Sequence, residues 1–388
     1  MALDQHPHAS SPVRLLPQAA PTAAPPRIEL VVGAQAPAPA VTVGVVGYGY
    51  WGPNLVRNFA EVPGSKVLAI SDLQPDRLAQ AAARYPAINT TTDCHAVIAD
   101  PTIDAVVIMT PVSTHYELAM EALQANKHVL VAKPIATSSE QAARLVDEAA
   151  RRKRILMVDH TFIYTGAVRR IKELVDSGDL GRLYYYDSVR VNLGLFQHDV
   201  NVLWDLAVHD LSIMDYVLGQ QPSAVAATGA AHIPGQPVNM AYLTCFFENN
   251  LLAHHHVNWL APVKVRRTLI CGDRQMIVYD DLEPSEKVKV YDKGITLKSA
   301  PEQVYESLIG YRSGDMWAPR LSLTEGLRLE AQHFLDCIRQ GHTPLSDGLA
   351  GMRVVRILEA ATQSVAHNGQ PVDLPADAGD ADAAGASS

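Results

Sequence analysis

One stretch restricts the fold of this chain more than any other: VTVGVVGYGYWGPNLVRNF, residues 41 to 59. A β-branched run enters a turn carrying Gly47, Gly49 and Gly52 at G-x-G-x-x-G spacing, and the chain leaves it in a helical pattern. Glycines at that spacing are common in turns, so the flanking elements decide the reading. Asp72 closes the next strand, KVLAISD, twenty residues after Gly52; a strand-turn-helix unit that cradles a dinucleotide wants a carboxylate there. Gly47 would permit the tight turn, Gly49 would let the backbone approach a pyrophosphate, and Gly52 would let helix and strand pack closely. The helix N-terminus would offer its free N–H groups to the anion. Asp72 would accept hydrogen bonds from the adenosine ribose and repel a 2′-phosphate, so the expected cofactor is NAD rather than NADP. Tyr50 and Trp51, inside the turn, are grouped with the cofactor-facing residues.

The pattern around this turn changes once along the chain. Residues 41 to about 160 alternate short apolar runs (VTVGVV, KVLAIS, DAVVIMT, KHVLVA, RILMV) with helical segments, the mark of βαβ units and a parallel sheet. Beyond about 180 the strands follow one another: LYYYDSVRV, MAYLTCFFE, LLAHHHVNWL, RRTLICG, QMIVYD and KVKVYD. Turn signals at Glu248-Asn249-Asn250 and Gly272-Asp273 join neighbours, so this half reads as mainly antiparallel. The expected fold class is α/β: a doubly wound parallel sheet, then an α/β domain with a large, mainly antiparallel open sheet. Residues 1–40 and 371–388, rich in Ala, read as disordered extensions; 41–160 form the dinucleotide domain and 161–370 a substrate-binding and oligomerisation domain. Helices are expected near 325–340 and 348–366.

Composition narrows the partners. A net charge of -9 over 388 residues argues against a nucleic-acid or anionic-membrane surface and leaves a small molecule as the expected ligand. The four cysteines show no C-x-x-C pair, which favours reduced thiols and the cytoplasm. No apolar run has the length of a membrane span, and the N-terminus lacks an export pattern.

Three further segments carry chemistry. The strand DAVVIMTP ends in Thr110-Pro111, and Thr114 with Glu117 suggests a capping box opening a helix at the carboxyl edge of the sheet. Thr110, Pro111 and His115 would then lie near the cofactor. Lys133 ends another strand, before Pro134, where burial near a nicotinamide would suit it to proton chemistry. In WDLAVHDLSIMDYVLG, Ala207, Leu211, Met214 and Leu218 form an apolar stripe, while Asp205 and His209 share another face. In an arbitrary helix that pair would be a solvated one.

Together GYGYWG, Asp72, TPVSTH, Lys133-Pro134 and NVLWDLAVHDLSIMDYVLG resemble the glucose-fructose oxidoreductase, inositol dehydrogenase and rhizopine-catabolism (Gfo/Idh/MocA) family, over residues 41 to about 370. The chain has Ala132 where that family usually has Glu. The resemblance implies a Rossmann domain, an open-sheet second domain and NAD(P)-dependent oxidation or reduction of a sugar or cyclitol carbon. It places His209 beside the substrate carbinol as the base, and Lys133 between cofactor and substrate to stabilise an alkoxide. Asp205 would orient the site or bind a neighbouring hydroxyl. The chain looks most like members acting at C3 of nucleotide-linked sugars such as UDP-N-acetylglucosamine or its uronic acid, with Tyr164, Asn192 and Arg266 as substrate candidates. Two alternatives stay open: a dehydrogenase of a free cyclitol or monosaccharide, and a non-catalytic NAD-binding sensor or scaffold. His254, His255 and His256 alternate between strand faces and carry no ligand spacing, so no metal is expected. The open sheet would expose an apolar face, so a homo-oligomer is expected.

Overall fold

Runs of Val, Ile and Leu become strands buried on both faces in the first half of the chain. The computed structural model describes residues 39–194, 200–297 and 309–375. Residues 1–38 of the expected N-terminal extension and 376–388 of the expected tail lie outside the described residues. The first sheet holds β1 (Val41–Val46), β2 (Ser65–Ser71), β3 (Asn89–Thr91), β4 (Ala105–Ile108), β5 (His128–Ala132) and β6 (Leu156–Asp159). Its order is β3-β2-β1-β4-β5-β6, with every pairing parallel. The crossovers are α1 (Gly52–Glu61), α2 (Pro75–Arg84), α3 (Cys94–Ala99), α4 (His115–Gln124) and α5 (Ser139–Arg152). Strand order reverses between β1 and β4, and ligands of such sheets bind outside the carboxyl ends at that point. Local signals fit: Ser138 caps α5 through the Gln141 N–H, and Arg151 and Arg152 complement the dipole of its last turn.

After α6 (Gly166–Asp176) come β7 (Leu183–Leu193), α7 (Val208–Leu218), β8 (Ala224–Ala230), β9 (Met240–Phe246), β10 (Leu252–Asn258) and β11 (Leu260–Gly272). Then follow β12 (Met276–Asp280), β13 (Val288–Tyr291), the small pair β14 (Gly294–Leu297) and β15 (Ile309–Arg312), and β16 (Met316–Trp317). The chain closes with α8 (Gly326–Gln340), α9 (Gly348–Ala366) and β17 (Val372–Asp373). The nine-stranded sheet runs β16-β13-β12-β11-β7-β10-β9-β8-β17. It is antiparallel except between β7 and β10. Three of its strands escape a sequence reading: β8 is AVAATGA, too alanine-rich to look like a strand, β16 is only two residues long, and β17 falls inside the expected tail because backbone pairing with β8 overrides its polar context.

The expected one-sided packing of α7 is corrected. Its apolar residues from Val208 to Val217 are buried together with Asp210, Ser212 and Asp215, because α6, α9 and β7 enclose it. The buried carboxylates are paired, Asp210 with Arg190 and Asp215 with Arg353. The last helices return to the first sheet. Leu327, Ala331, Phe334 and Leu335 of α8 share a core with β1 and α1. On α9, Met352 and Val355 enter the other core of the first sheet, while Val354, Ile357 and Leu358 pack under the second.

Candidate active site

The glycine turn has the form a dinucleotide needs. Gly47 has φ +98°, and a Cβ there would stand 2.6 Å from the Met109 carbonyl oxygen. A Cβ on Gly52 would stand 2.4 Å from the Gly47 carbonyl oxygen, so helix and strand touch backbone to backbone. Above Gly49 the space is open, the nearest atom being Arg77 Nη1 at 3.5 Å. No side chain caps the N-terminus of α1. An open cradle over uncapped backbone N–H groups fits a pyrophosphate. Asp72, 9% exposed, accepts the Tyr48 N–H at 2.7 Å and the Gln74 N–H at 2.8 Å, which fixes its carboxylate at the end of β2. Arg77 lies 3.4 Å from it, a neighbour that sequence reading missed because nothing in PDRLAQ marks it.

The next strand ends reposition one expected residue. His115 is 1% exposed, with Nδ1 2.7 Å from the Pro134 carbonyl and Nε2 2.8 Å from the Thr110 carbonyl. It is a strut between two strand ends: both ring nitrogens lie against carbonyl oxygens and the neutral ring donates to one of them, so its place as a cofactor-facing residue is corrected. Burial pushes its pKa below the ordinary histidine value. The capping box is also absent: Thr114 Oγ1 donates to Thr110 Oγ1 at 2.7 Å instead of capping α4. A single 3₁₀ turn, Val112–Thr114, precedes the helix and gives Thr114, at the N-cap position, a helical rather than extended backbone, with no side-chain cap bond. Thr110 and Pro111 stay at the carboxyl end of β4.

His115 thereby holds the turn that follows Lys133. The lysine, three-quarters buried, donates from Nζ to the Asp205 carbonyl at 2.9 Å and to Asp205 Oδ1 at 3.3 Å. Asp205 lies in a π-helical turn, Leu203–Ala207, directly ahead of α7. Its Oδ2 accepts the indole N–H of Trp259 at 3.0 Å, and Trp259 is fully buried. The i,i+4 pair foreseen as lying on one helical face is split in role: Asp205 clamps the lysine, and His209, one turn further on, packs against Phe162 within reach of the Lys133 charge.

His209 packs edge-on against Phe162, ring centroids 5.1 Å apart. Arg190 and Arg266, cross-strand partners on β7 and β11, stand over the same ring at 4.6 and 5.7 Å. Burial first, then the charges of Lys133 and Arg190, hold the His209 pKa well below its ordinary value, so the ring is neutral near pH 7. Its Nδ1 is buried with no partner among the described residues. Arg190 is itself buried and bidentate with Asp210, at 2.9 Å for both bonds, while Arg266 reaches Asp281 at 3.3 Å. The site brings together a clamped ammonium, a neutral imidazole and two guanidinium groups. Phe162, Arg190 and Trp259 were not foreseen; Arg190 is inward-facing on an alternating strand, a signal legible only once that strand's inner face is known.

Two substrate candidates fare differently. Tyr164 is 1% exposed, its hydroxyl 2.9 Å from Ser346 Oγ, so it belongs to the core and not to the substrate site. Asn192 is half-buried near the end of β7. His255 is buried against Ser188 Oγ at 2.7 Å, while His254 and His256 stack with Tyr242 on the other face. Among the described residues no group of three or more His, Cys, Asp or Glu could hold a metal. No helix among them is long and apolar enough to cross a membrane.

A switch-point glycine turn facing a lysine–histidine pocket defines a dinucleotide-dependent oxidoreductase. The chain belongs to the GFO/IDH/MocA oxidoreductase family: residues 41–160 match its NAD-binding Rossmann fold and 172–374 its C-terminal alpha/beta domain. It is 26% identical to scyllo-inositol 2-dehydrogenase (NAD(+)) of Bacillus subtilis (strain 168), over 86% of this chain and 94% of that protein. It is 27% identical to UDP-N-acetylglucosamine 3-dehydrogenase of Acidithiobacillus ferrooxidans, over 80% of this chain and 93% of that one. The fold is shared with a levoglucosan dehydrogenase solved with NADH and levoglucosan, TM-score 0.72 and 24% identity, covering 87% of this chain and all of that one (100%). The chain is thus an NAD-binding oxidoreductase acting on CH–OH.

Proposed function

We propose that this enzyme transfers a hydride between NAD and a secondary alcohol or ketone carbon of a nucleotide-linked sugar, with Lys133, Asp205 and His209 as its catalytic group. The observation that carries this reading is the Lys133 ammonium, clamped by Asp205 at 2.9 and 3.3 Å in the pocket that His209 lines. Gly47, Gly49, Tyr50, Trp51, Gly52, Asp72, Thr110 and Pro111 would hold the dinucleotide. NAD, when bound, supplies the hydride acceptor. Two Lys133 protons are committed to Asp205, which leaves one for the oxygen that develops charge. The neutral His209 ring takes the hydroxyl proton during oxidation and returns it during reduction. Arg190 and Arg266 favour the alkoxide electrostatically.

Arg266 supports the nucleotide-linked reading, since a half-buried guanidinium bordering the pocket suits a pyrophosphate. Its contact with Asp281 favours the second reading, a free cyclitol or monosaccharide, because part of that charge is already neutralised. Relatives named for UDP-N-acetylglucosamine and for scyllo-inositol match at similar identity. Asn192, at the end of β7, stays a substrate candidate. Incubation with NAD and a panel of UDP- and TDP-sugars beside free inositol and glucose decides, by NADH absorbance and product mass. Turnover confined to the free polyols would overturn the nucleotide-linked reading. The outer sheet face, with Tyr242 40% and Leu252 47% exposed, suits burial by a second copy, and light scattering tests that homo-oligomer.

A further inference from the structure

The dinucleotide turn is tied to a buried acid that neither the catalytic pocket nor the glycine motif uses. The Trp51 indole N–H donates to Asp159 Oδ2 at 2.8 Å, joining the turn to the carboxyl end of β6. Asp159 is 4% exposed, and its other oxygen accepts the Thr161 backbone N–H at 3.2 Å and the Thr161 hydroxyl. Ala132, directly opposite on β5, adds no charge beside it. The third member is Glu330 of α8, which is fully buried at 0% exposure. Neither of its carboxyl oxygens accepts a well-formed hydrogen bond among the described residues. What faces it is the Asp159 carboxylate, with Thr161 and the His160 backbone alongside.

Two carboxyl groups in contact inside a protein cannot both be ionised. Burial, with the Asp159 charge adding to it, pushes the Glu330 carboxyl well above the usual carboxylate range. A neutral Glu330 has an O–H to give, and Asp159 is the acceptor beside it. The same helix grips α1 elsewhere. Glu325 accepts from Arg57 at 2.6 Å and from Asn58 at 3.2 Å, Phe334 meets Phe59 edge-on at 6.2 Å, and Arg339 donates to the Gly64 carbonyl at 2.5 Å. A strut from the C-terminal part of the chain therefore ends on the turn that meets the cofactor.

We propose that Asp159 and Glu330 share one proton and act as positioning residues for NAD, holding the dinucleotide turn in its binding form through the Trp51 indole. Asp159 orients the indole, and Glu330, buried against it, fixes the Asp159 carboxylate in place. Neither touches the reacting carbon.

The test is NAD affinity by calorimetry on the full chain, with the melting temperature followed in parallel. Losing a hydrogen bond to a carboxylate is worth about tenfold in affinity, so Trp51→Phe and Asp159→Ala should each weaken NAD by about tenfold. In the double variant the second change should add less than about twofold, since both cut one connection. Glu330→Gln, whose amide still donates, should stay within about twofold of wild type, and Glu330→Leu should lose about fivefold. That Glu330→Leu loss should vanish in a Trp51→Phe background. A merely structural role would lower the melting temperature in all variants and leave the losses multiplying. Independent losses, wild-type affinity in Trp51→Phe, or Gln as weak as Leu at 330 would each overturn the proposal. If Asp159→Ala does not fold, the Glu330 and Trp51 cycle decides the same question, because Trp51 is 39% exposed and its replacement leaves the core intact.

Discussion

Lys133 Nζ lies 2.9 Å from the main-chain carbonyl of Asp205, 72 residues further along the chain. A carbonyl inside a regular α-helix is engaged by the N–H four residues on. Asp205 sits in a π-helical turn, and such turns are frequent at functional sites. The lysine follows a strand of the first sheet and the aspartate lies just ahead of a helix of the second domain, so one ammonium joins the Rossmann domain to the C-terminal alpha/beta domain.

If that ammonium and His209 act as a unit, Lys133→Ala or His209→Ala should each lower kcat by about 10²-fold while NAD affinity changes little. The double variant should lose far less than the product of the two. Steady-state kinetics with the substrate from the sugar panel, set beside NAD calorimetry, checks both statements.

The pH profile should differ from that of an ordinary histidine base. Burial and the nearby cations lower the His209 pKa, so the rising limb of kcat/KM for alcohol oxidation should lie below pH 6.5 rather than near it. His209→Ala should remove that limb. A limb centred at or above pH 6.5 in the wild type would assign the proton to another group.

The role proposed for Asp72 is cofactor choice. Asp72→Ser removes the charge that would oppose a 2′-phosphate, while Arg77, 3.4 Å from that carboxylate, is freed to meet one. NADP affinity should rise and NAD affinity fall, each by about tenfold, measured by competition titration. Equal affinity of the wild type for both cofactors would remove Asp72 from this role.

Two glycines separate binding from folding. Gly49→Val should keep its melting temperature and lose NAD, because nothing lies closer than 3.5 Å to the new Cβ. Gly52→Val should fold poorly, since its Cβ would stand 2.4 Å from the Gly47 carbonyl. Melting temperature and NAD calorimetry on both variants distinguish the two.

Acid should destabilise the protein well before its carboxylates titrate. Burial holds His160 and His255 at a pKa of about 4, and lowers His115 and His209. The unfolded chain takes up these protons below about pH 6.5 and the native state does not, so stability falls as pH drops through that value towards 4. His160 and His255 each contribute roughly 1.4 kcal/mol per pH unit in that window, and His115 and His209 act in the same direction. Glu330, neutral in the native state, works the opposite way: the stability linked to it is present below about pH 4.5 and lost as pH rises above that. Four histidines outweigh one glutamate, so urea midpoints should decline from pH 7 to pH 5.

Five strands of the first sheet were legible because they read as apolar runs, with Gly47, Gly52 and Asp72 at positions fixed by backbone geometry, whereas the edge strand β3, Asn89–Thr91, is short, polar and exposed and carried no such run. Helices α8 and α9 carried clear periodicity and lie within a residue or so of their expected spans. The site was only half legible. Lys133 and His209 stood out as residue types at strand and helix ends, but Trp259 and Arg190 act across strands, where only register shows which side chains meet. Tyr164 and His115 misled for one reason: a polar group in the right segment can be spent on the interior, Tyr164 on Ser346 and His115 on two carbonyls.

The grip of α8 on α1 also bears on how the chain is made. Arg339 reaches the Gly64 carbonyl across 275 residues, and the Phe59 ring that it helps enclose leaves the ribosome long before Phe334 exists to cover it. At about 5–20 residues per second the interval is roughly 15 to 55 seconds. During that time the nascent dinucleotide domain presents a bare apolar strip to the cell, so the growing chain is a natural client for a holding chaperone until α8 emerges.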